Sequence, residues 1–225
     1  MSDAKSNDRF FEKRLHEGWA GRPVNPDRLA VLNRYLAPRM LDVGCGNGQY
    51  VFGLQNHCDI HGVDIETYES WSQLPDRFRV GDISCLDFEN ESFGTVSAFE
   101  VLEHLEDPLV AIRELARVAS QHVIVTVPNC EITDGMRQSL LIPHHWQDRT
   151  HVQSFTMNSL QELFAQAGLR VVEAIHINQI RPERLLMELA RLNDPISWFF
   201  LRWLRWRTRR DYYLTCLVTG EKAGT

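Results

Sequence analysis

The sequence predicts an α/β fold, in which a doubly wound and mainly parallel seven-stranded sheet carries helices on both faces. Short apolar runs of strand length alternate with stretches whose apolar residues recur at helical spacing, and such alternation favours parallel strands joined by helices. The first apolar run passes directly into a glycine-rich turn, which is typical of strand–turn–helix units that bind a nucleotide-like ligand. A chain of 225 residues has room for one such domain with short additions.

Two helices are expected before the first strand, at residues 8–18 and 25–36. In the second, Asn25 is a suitable N-cap, and Pro26 follows in the first helical turn, where its missing N–H leaves no hydrogen bond unmade. We expect residues 1–39 to form a helical lid and residues 40–225 to form the ligand-binding domain.

The remaining elements follow in order from the apolar patterns. Helices are expected at 49–56, 108–119 and 157–168, with a shorter helical segment near 68–74. Strands are expected at 41–43, 60–65, 78–80, directly before Glu100, 123–127, 169–177 and 212–219.

The glycine-rich turn is the main functional signal. Gly44, Gly46 and Gly48 occupy alternate positions, so the backbone can approach a ligand without intervening side chains. The spacing differs from the dinucleotide fingerprint, and the carboxylate of Asp42 would repel a pyrophosphate. The turn therefore favours a cationic or zwitterionic ligand.

Carboxylates follow the next two predicted strands. Asp64 lies at the end of the second strand, where it could accept hydrogen bonds from ribose hydroxyls. Asp82 follows the third strand, and Ile83 comes next. Together they offer a carboxylate for an adenine amino group and an apolar side chain for its ring.

Two further segments complete a recognisable pattern: Glu-Val-Leu-Glu-His-Leu at 100–105 and Val-Ile-Val-Thr-Val-Pro-Asn at 123–129. From about residue 42 to about residue 172, the chain resembles class I S-adenosylmethionine-dependent methyltransferases, which have a Rossmann-like fold. Within them it is similar to the group with Glu-Val-Leu-Glu-His after the fourth strand, such as quinone-precursor O-methyltransferases. One position departs from the family, because Phe93-Gly94 stands where Phe-Asp is usual.

The resemblance implies S-adenosyl-L-methionine as cofactor and assigns its contacts. The predicted cofactor-binding residues are Asp42, Gly44 and Gly46 for the methionine portion, Asp64 for the ribose, Asp82 and Ile83 for the adenine, and Cys45, Ile65 and Glu100 beside them.

The segment after the fourth strand also carries the catalytic candidates. A poorly ionised hydroxyl needs a base to accept a methyl group, and His104 and His151 are the candidates. If the segment is helical, Glu100, Glu103 and His104 converge on one face, and with His151 they could hold Mg or Mn. Small-RNA terminal 2'-O-methyltransferases, which this segment also resembles, use the motif in that way. The alternative is a metal-free site in which Glu103 pairs locally and His104 lines the pocket.

A loop and an insertion remain open to two interpretations each. The loop His-His-Trp at 144–146 either contacts the acceptor or is a surface loop anchored by its tryptophan. A helical insertion at about 181–210 is rich in aromatic residues and arginine. Residues 197–210 could lie in the headgroup region of an anionic membrane, or supply core or homodimer contacts. On a helical wheel one side carries Phe199, Phe200, Trp203, Leu204 and Trp206, and another carries Arg202, Arg205 and Arg209.

The composition limits which binding partners and which cellular compartment we expect. The net charge of −6 and the absence of a recognisable RNA-binding module argue against RNA as a partner. Five cysteines without Cys-x-x-Cys spacing suggest neither a disulfide framework nor a thiolate zinc site. We expect a cytoplasmic protein, peripheral at the inner membrane face if 197–210 binds lipid.

The sequence thus predicts a methyltransferase that uses S-adenosyl-L-methionine to methylate an oxygen of a small or lipid-linked molecule. Two other functions stay open at this point: a metal-dependent RNA 2'-O-methyltransferase, and a scaffold that binds S-adenosyl-L-methionine without turnover.

Overall fold

The computed structural model describes residues 24–138, 148–179, 186–188, 191, 194–208 and 212–222. Within these ranges the strands are β1 (Arg39–Val43), β2 (Asp59–Asp64), β3 (Phe78–Val80), β4 (Phe93–Phe99), β5 (Ala119–Pro128), β6 (Leu169–Gln179) and β7 (Tyr213–Lys222). They form a seven-stranded sheet in the order β3-β2-β1-β4-β5-β7-β6. The first five strands pair in parallel, and β7 runs antiparallel to β5 and β6. The predicted doubly wound, mainly parallel sheet is confirmed.

The described helices match the helical spacing of the sequence, with ends that differ by a few residues. They are α1 (Pro26–Arg34), α2 (Gln49–Leu54), α3 (Pro108–Val118), α4 (Asp134–Gln138), α5 (Met157–Gln166) and α6 (Pro195–Thr208). The short segment expected near 68–74 is a 3-10 helix at Glu69–Gln73. The helix expected at 8–18 lies outside the described residues, as does part of the insertion at 181–210. None of the described helices is both long and apolar enough to cross a membrane.

Side-chain caps fix where two of these helices begin. The side chain of Asn25 accepts hydrogen bonds from the backbone N–H groups of Asp27 and Arg28, both at 3.0 Å. At the start of α3, Asp107 accepts from Leu109 at 3.1 Å and from Val110 at 3.3 Å. Each cap satisfies backbone donors that have no partner within their own helix.

The central strands are buried on both faces, and successive residues point to opposite sides. In β5, Val123 and Val125 belong to the apolar cluster that includes α3 and α5. Ile124 between them belongs to the second cluster, which includes α1 and α2. Because a strand alternates its side chains, the continuous apolar run of β5 is explained by helices on both faces of the sheet.

The antiparallel direction of β7 determines at which edge of the sheet the connection from β6 to β7 begins and ends. Thr215, near the start of β7, pairs with Pro128 at the carboxyl end of β5, and Tyr213 pairs with Gln179 at the end of β6. Asn129 reinforces this corner, because its backbone N–H donates to the carbonyl of Leu214 at 2.8 Å. The connection from β6 to β7, which contains α6, therefore begins and ends at the edge where the parallel strands have their carboxyl ends.

Packing explains the one departure from the family pattern. A Cβ atom added to Gly94 would lie 2.3 Å from the Cβ of Ala37, and Ala37 is only 5% exposed. An aspartate cannot occupy this position without moving the segment before β1. Glycine at position 94 is therefore a consequence of the alanine at position 37.

We expect Gly94→Ala to destabilise the protein by about 1–3 kcal/mol, because the added methyl group overpacks a closed contact. The measurement is the free energy of unfolding by urea for this variant, for Ala37→Gly and for the double variant. Ala37→Gly should restore most of the lost stability in the double variant. If the two changes add independently, the contact does not explain the glycine.

Candidate functional site

The glycine-rich turn is held against β2 and leaves its outer side open. The backbone N–H groups of Gly44 and Cys45 both donate to the carbonyl of Val63, at 2.7 and 3.1 Å. Gly46 has a φ of +52°, and no described atom lies within 4 Å of the position that a Cβ would take there. A ligand can therefore contact the backbone at Gly46 directly.

Asp64 lies beside this opening at the end of β2. Its Oδ2 accepts a hydrogen bond from the backbone N–H of Gly46 at 2.8 Å, and its Oδ1 accepts one from Glu66 at 3.3 Å. These bonds orient the carboxylate towards the turn, and each oxygen keeps a further lone pair for a ligand hydroxyl. The next residue, Ile65, is 71% exposed and adds an apolar surface beside the carboxylate.

Asp42 lies beneath the turn and is only 2% exposed. Burial raises the pKa of its carboxyl group to about 7, although the Ser97 hydrogen bond and the charge of Arg28 lower it. The Ser97 hydroxyl donates to Oδ1 at 2.7 Å. Asp42 and the buried Cys45 therefore offer a ligand little side-chain surface, and Asp42 acts on the turn through its charge.

The two predicted adenine contacts lie in different environments. Asp82 is exposed, and hydrogen bonds from the backbone and hydroxyl of Ser84 lower the pKa of its carboxyl group. The side chain of Ile83 is buried in the apolar cluster with Leu86. Asp82 therefore presents its carboxylate to solvent, whereas Ile83 mainly packs in the core. Both residues stay predictions as adenine contacts.

Glu100 is oriented by contacts that sequence reasoning did not find. It forms an ion pair with Arg28 of α1, and Thr126 donates a hydrogen bond to its Oε1 at 2.9 Å. Its backbone lies in the left-handed region, with a φ of +56°. The ion pair joins the segment before β1 to the carboxyl end of β4, across 72 residues of sequence.

The structure brings three of the four predicted metal ligands together. One ligand atom each from Glu103, His104 and His151 lies within 4.8 Å of the others. Glu100 is not in this group, because the segment is a short 3-10 helix at Leu102–His104 and not an α-helix that begins at Glu100. The sequence spacing would bring Glu100, Glu103 and His104 onto one face only in that helix.

A hydrogen-bond chain sets the protonation of the His104 ring. The Thr150 hydroxyl lies 2.6 Å from Asp148 Oδ1 and donates to it, so it can only accept from His104 Nδ1 at 3.0 Å. The Thr150 carbonyl, 3.3 Å from the same nitrogen, also only accepts. Nδ1 therefore carries the proton, and the basic lone pair of a neutral His104 ring lies on Nε2.

Asp148 also lies beside the second histidine, His151. His151 Nε2 lies 3.7 Å from Asp148 Oδ2, and the two imidazole rings meet edge to face with centroids 4.7 Å apart. Burial raises the pKa of Asp148, but the Thr150 hydrogen bonds and the histidine charges outweigh it and lower the pKa below its usual value. Asp148 and Thr150 are not among the residues predicted from the sequence, although Asp-x-Thr is a turn pattern that orients a hydroxyl.

Glu103 is the most unusual group of the site. It is 1% exposed, and neither carboxyl oxygen has a hydrogen-bond partner among the described residues. Burial, and then the charge of Glu100, raise the pKa of Glu103 to about 9. The carboxyl group is therefore neutral at pH 7 unless a cation binds beside it.

The loop at 144–146 lies outside the described residues, so its predicted contact with the acceptor stays a prediction.

Comparisons with known proteins identify the family of the chain. A family model described as a methyltransferase domain matches residues 9–174, which is more than half of the chain. An O-methyltransferase from Pyrenophora dematioidea is 28% identical over 196 residues, or 75% of this chain and 73% of that protein. A ubiquinone biosynthesis O-methyltransferase from Coxiella burnetii is 29% identical over 105 residues, which cover 41% of this chain and 45% of that protein.

A solved structure gives the same fold. The S-adenosylmethionine-dependent methyltransferase from Archaeoglobus fulgidus superposes with a TM-score of 0.60, covering 86% of this chain and 92% of that one. The two sequences are 17% identical, so this likeness concerns the fold alone.

The neutral carboxyl of Glu103 predicts a pH dependence of stability. Its pKa is above the ordinary 4.5, so between these values the folded chain binds more protons than the unfolded chain, and stability falls as pH rises. With EDTA present, the free energy of unfolding of Glu103→Gln should rise by about 1 kcal/mol or more relative to that of wild type as the pH is raised from about 6 to about 8. Urea unfolding at both pH values measures this difference.

Glu106→Gln is the matched control, because Glu106 is exposed and the substitution likewise replaces a carboxyl group by an amide. Its free energy of unfolding should keep a constant difference from wild type over the same pH range. An equally constant difference for Glu103→Gln would show that Glu103 is ionised in the folded protein.

Proposed function

The chain belongs to the methyltransferase family, and we propose that this S-adenosylmethionine-dependent enzyme methylates a hydroxyl oxygen of a small or lipid-linked molecule. The observation that carries the proposal is the hydrogen-bond chain from Asp148 through Thr150 to His104 Nδ1, which places the basic lone pair of a neutral ring on Nε2. The two relatives described above, both named O-methyltransferases, support the choice of oxygen. Neither name identifies the acceptor of this chain.

The residues of the turn fit the cofactor. When bound, S-adenosyl-L-methionine supplies the methyl group on a cationic sulfonium. Asp64 can accept from ribose hydroxyls, and the open side of Gly46 leaves room for close contact with the backbone. Asp42 and Glu100 add negative charge near a ligand that carries positive charge, which favours binding in a partly buried site.

His104 is the proposed base. Its Nε2 would take the proton of the acceptor hydroxyl as the oxygen becomes the nucleophile. The imidazolium that forms keeps its Nδ1–H bond to Thr150, and Asp148 lies behind it as a counter-charge. His151 approaches Asp148 from the other side. Asp148 is thus linked to His104 through Thr150 and lies directly beside His151.

A divalent cation is the alternative use of the same residues. Glu103, His104 and His151 offer one oxygen and two nitrogens, a mixed set that Mg or Mn accepts less readily than an all-oxygen set. The carboxyl oxygens of Glu103, which have no hydrogen-bond partner among the described residues, are the feature that favours such an ion. A bound cation would lower the pKa of an acceptor hydroxyl and reduce the need for a base.

Asp64 tests the cofactor site. Asp64→Ala removes the predicted ribose hydrogen bonds and should weaken S-adenosyl-L-methionine binding by about tenfold or more, as measured by calorimetric titration. Asp76→Ala, at an exposed position within the 3-10 helix Pro75–Arg77, removes the same charge and should leave affinity unchanged. Equal affinity for both variants would refute the placement of the ribose.

His104 and Thr150 test the proposed chemistry. We expect His104→Ala to lower kcat by about 10²–10⁴-fold with phenolic and catecholic acceptors, measured as S-adenosylhomocysteine formed. Thr150→Val should also lower kcat, whereas Thr150→Ser keeps the hydroxyl and should retain most of the activity. Cofactor affinity should stay at the wild-type value in all three variants.

The same assay separates the remaining functions. Activity that survives EDTA supports the base, and activity that EDTA abolishes and Mg or Mn restores supports the metal. Product formed only with RNA would favour a 2'-O-methyltransferase, and cofactor binding without product from any acceptor would favour a scaffold. Full kcat in His104→Ala would contradict the proposed base.

A further inference from the structure

Helix α6 exposes a continuous apolar face. Five of its large apolar side chains are at least half exposed, from 50% for Trp203 to 81% for Ile196. Placed at roughly 100° per residue, the five fall within an arc of about 120°. Other exposed large apolar residues, such as Val80 in β3 and Val110 in α3, are not gathered on one helix face. The face consists of Ile196, Phe199, Phe200, Trp203 and Trp206.

The charges of α6 are opposite in sign to those of the chain. The helix contains Arg202, Arg205 and Arg207 and no acidic residue, whereas the whole chain has a net charge of −6. The guanidinium of Arg202 lies 4.7 Å from the centroid of the Trp198 ring, and that of Arg207 lies 5.8 Å from the Trp203 ring. Arg202 and Arg207 are thus held on aromatic rings. On the helical wheel Arg202 lies just outside the arc of the apolar face, and Arg207 lies within that arc in the last turn of the helix.

The helix is connected to the functional edge of the sheet. The chain leaves β6 after Gln179 and re-enters β7 at Tyr213, both at the edge where Asp64 and His104 lie. Asn178, at the end of β6, accepts a hydrogen bond from Asn25 at 2.6 Å, so the start of α1 is fixed at the same corner. The connection that carries α6 is therefore attached at the edge of the sheet from which an acceptor would enter.

We infer that α6 binds the surface of an anionic lipid bilayer, with its apolar face among the headgroups and acyl chain ends and its arginines against lipid phosphates. Tryptophan and phenylalanine suit this region, because their rings are apolar while the indole N–H can stay hydrated. A membrane places lipid-embedded hydroxyl compounds beside the acceptor entrance. That consequence rests on the proposed function, whereas membrane binding does not.

The positive charge of α6 favours a lipid bilayer over a second copy of the chain as the partner of the apolar face. In a two-fold symmetric dimer built on this face, the arginines of one α6 would lie near those of the other. Like charges at such distances oppose association. An anionic bilayer supplies the opposite charge and an apolar interior together, which matches both properties of the helix.

The test is flotation of the purified full chain with vesicles of phosphatidylcholine containing about 30% phosphatidylglycerol, compared with phosphatidylcholine alone. The wild-type chain should float with the anionic vesicles, and high salt should weaken this binding. Phe199→Ser combined with Trp206→Ser should reduce the bound fraction by about tenfold or more. Arg202→Gln combined with Arg207→Gln should reduce binding to anionic vesicles only.

Matched controls are Val80→Ser with Val110→Ser, and Arg79→Gln with Arg113→Gln, which change exposed residues outside α6. Both controls should float like wild type. The inference fails if the wild-type chain does not bind anionic vesicles, or if the controls lose binding as strongly as the α6 variants. It also fails if sedimentation shows a wild-type dimer that the serine variant dissociates, because α6 then contacts a second copy of the chain. None of these measurements uses an acceptor, so methylation of a soluble phenol remains a separate test of the proposed function.

Discussion

The guanidinium of Arg28 balances the carboxylates that collect at the carboxyl edge of the sheet. It pairs with Glu100, and its charge lowers the pKa of both Asp42 and Glu103. These carboxyl groups nevertheless keep pKa values of about 7 and about 9, since burial outweighs one partly buried cation. The edge is therefore ready to gain from a further positive charge, and the sulfonium and ammonium groups of the cofactor bring such charge. The position of α1 matters because it supplies Arg28.

This balance also links the cofactor side of the edge to the acceptor side. Asp42 lies under the turn, and Glu103 lies against the two histidines. Glu100 stands between them, since its charge raises the pKa of Glu103 and its carboxylate binds Arg28. A change at Arg28 therefore alters the pKa of both Asp42 and Glu103, and a change at Glu100 alters the pKa of Glu103. The proposed base thus lies beside carboxyl groups that respond to the charges of the residues predicted to hold the cofactor.

The sequence was sufficient for the fold because each element carries its own local pattern. β5 is an unbroken apolar run, α3 repeats apolar residues at helical spacing, and Gly44 to Gly48 mark the turn. The contacts that define the site are not local. Arg28 and Glu100 are 72 residues apart, and His104 and Thr150 are 46 apart, so no window of sequence contains both partners.

Glu100 shows why spacing alone was not enough for the site. Its distance from Glu103 and His104 in sequence suggests a shared helix face, but the chain leaves β4 through a residue in left-handed conformation. The turn separates Glu100 from the other two and directs it to Arg28. Gly94 is similar, since its meaning depends on Ala37, which lies on the other side of β1 in sequence.

The sheet topology fixes the positions of some parts of the site and leaves the length of the β6–β7 connection free to vary. The turn after β1 and the carboxylate after β2 are set by the parallel core, where a shift of one residue would move every side chain to the other face. The connection from β6 to β7 has no such constraint, because β7 needs only to return antiparallel beside β5. A long insertion is tolerated there, and its ends are anchored at the edge that carries the proposed active site. Under the proposed function, an aromatic, arginine-rich helix at this place can influence which acceptors reach His104 without altering the turn that is predicted to hold the cofactor.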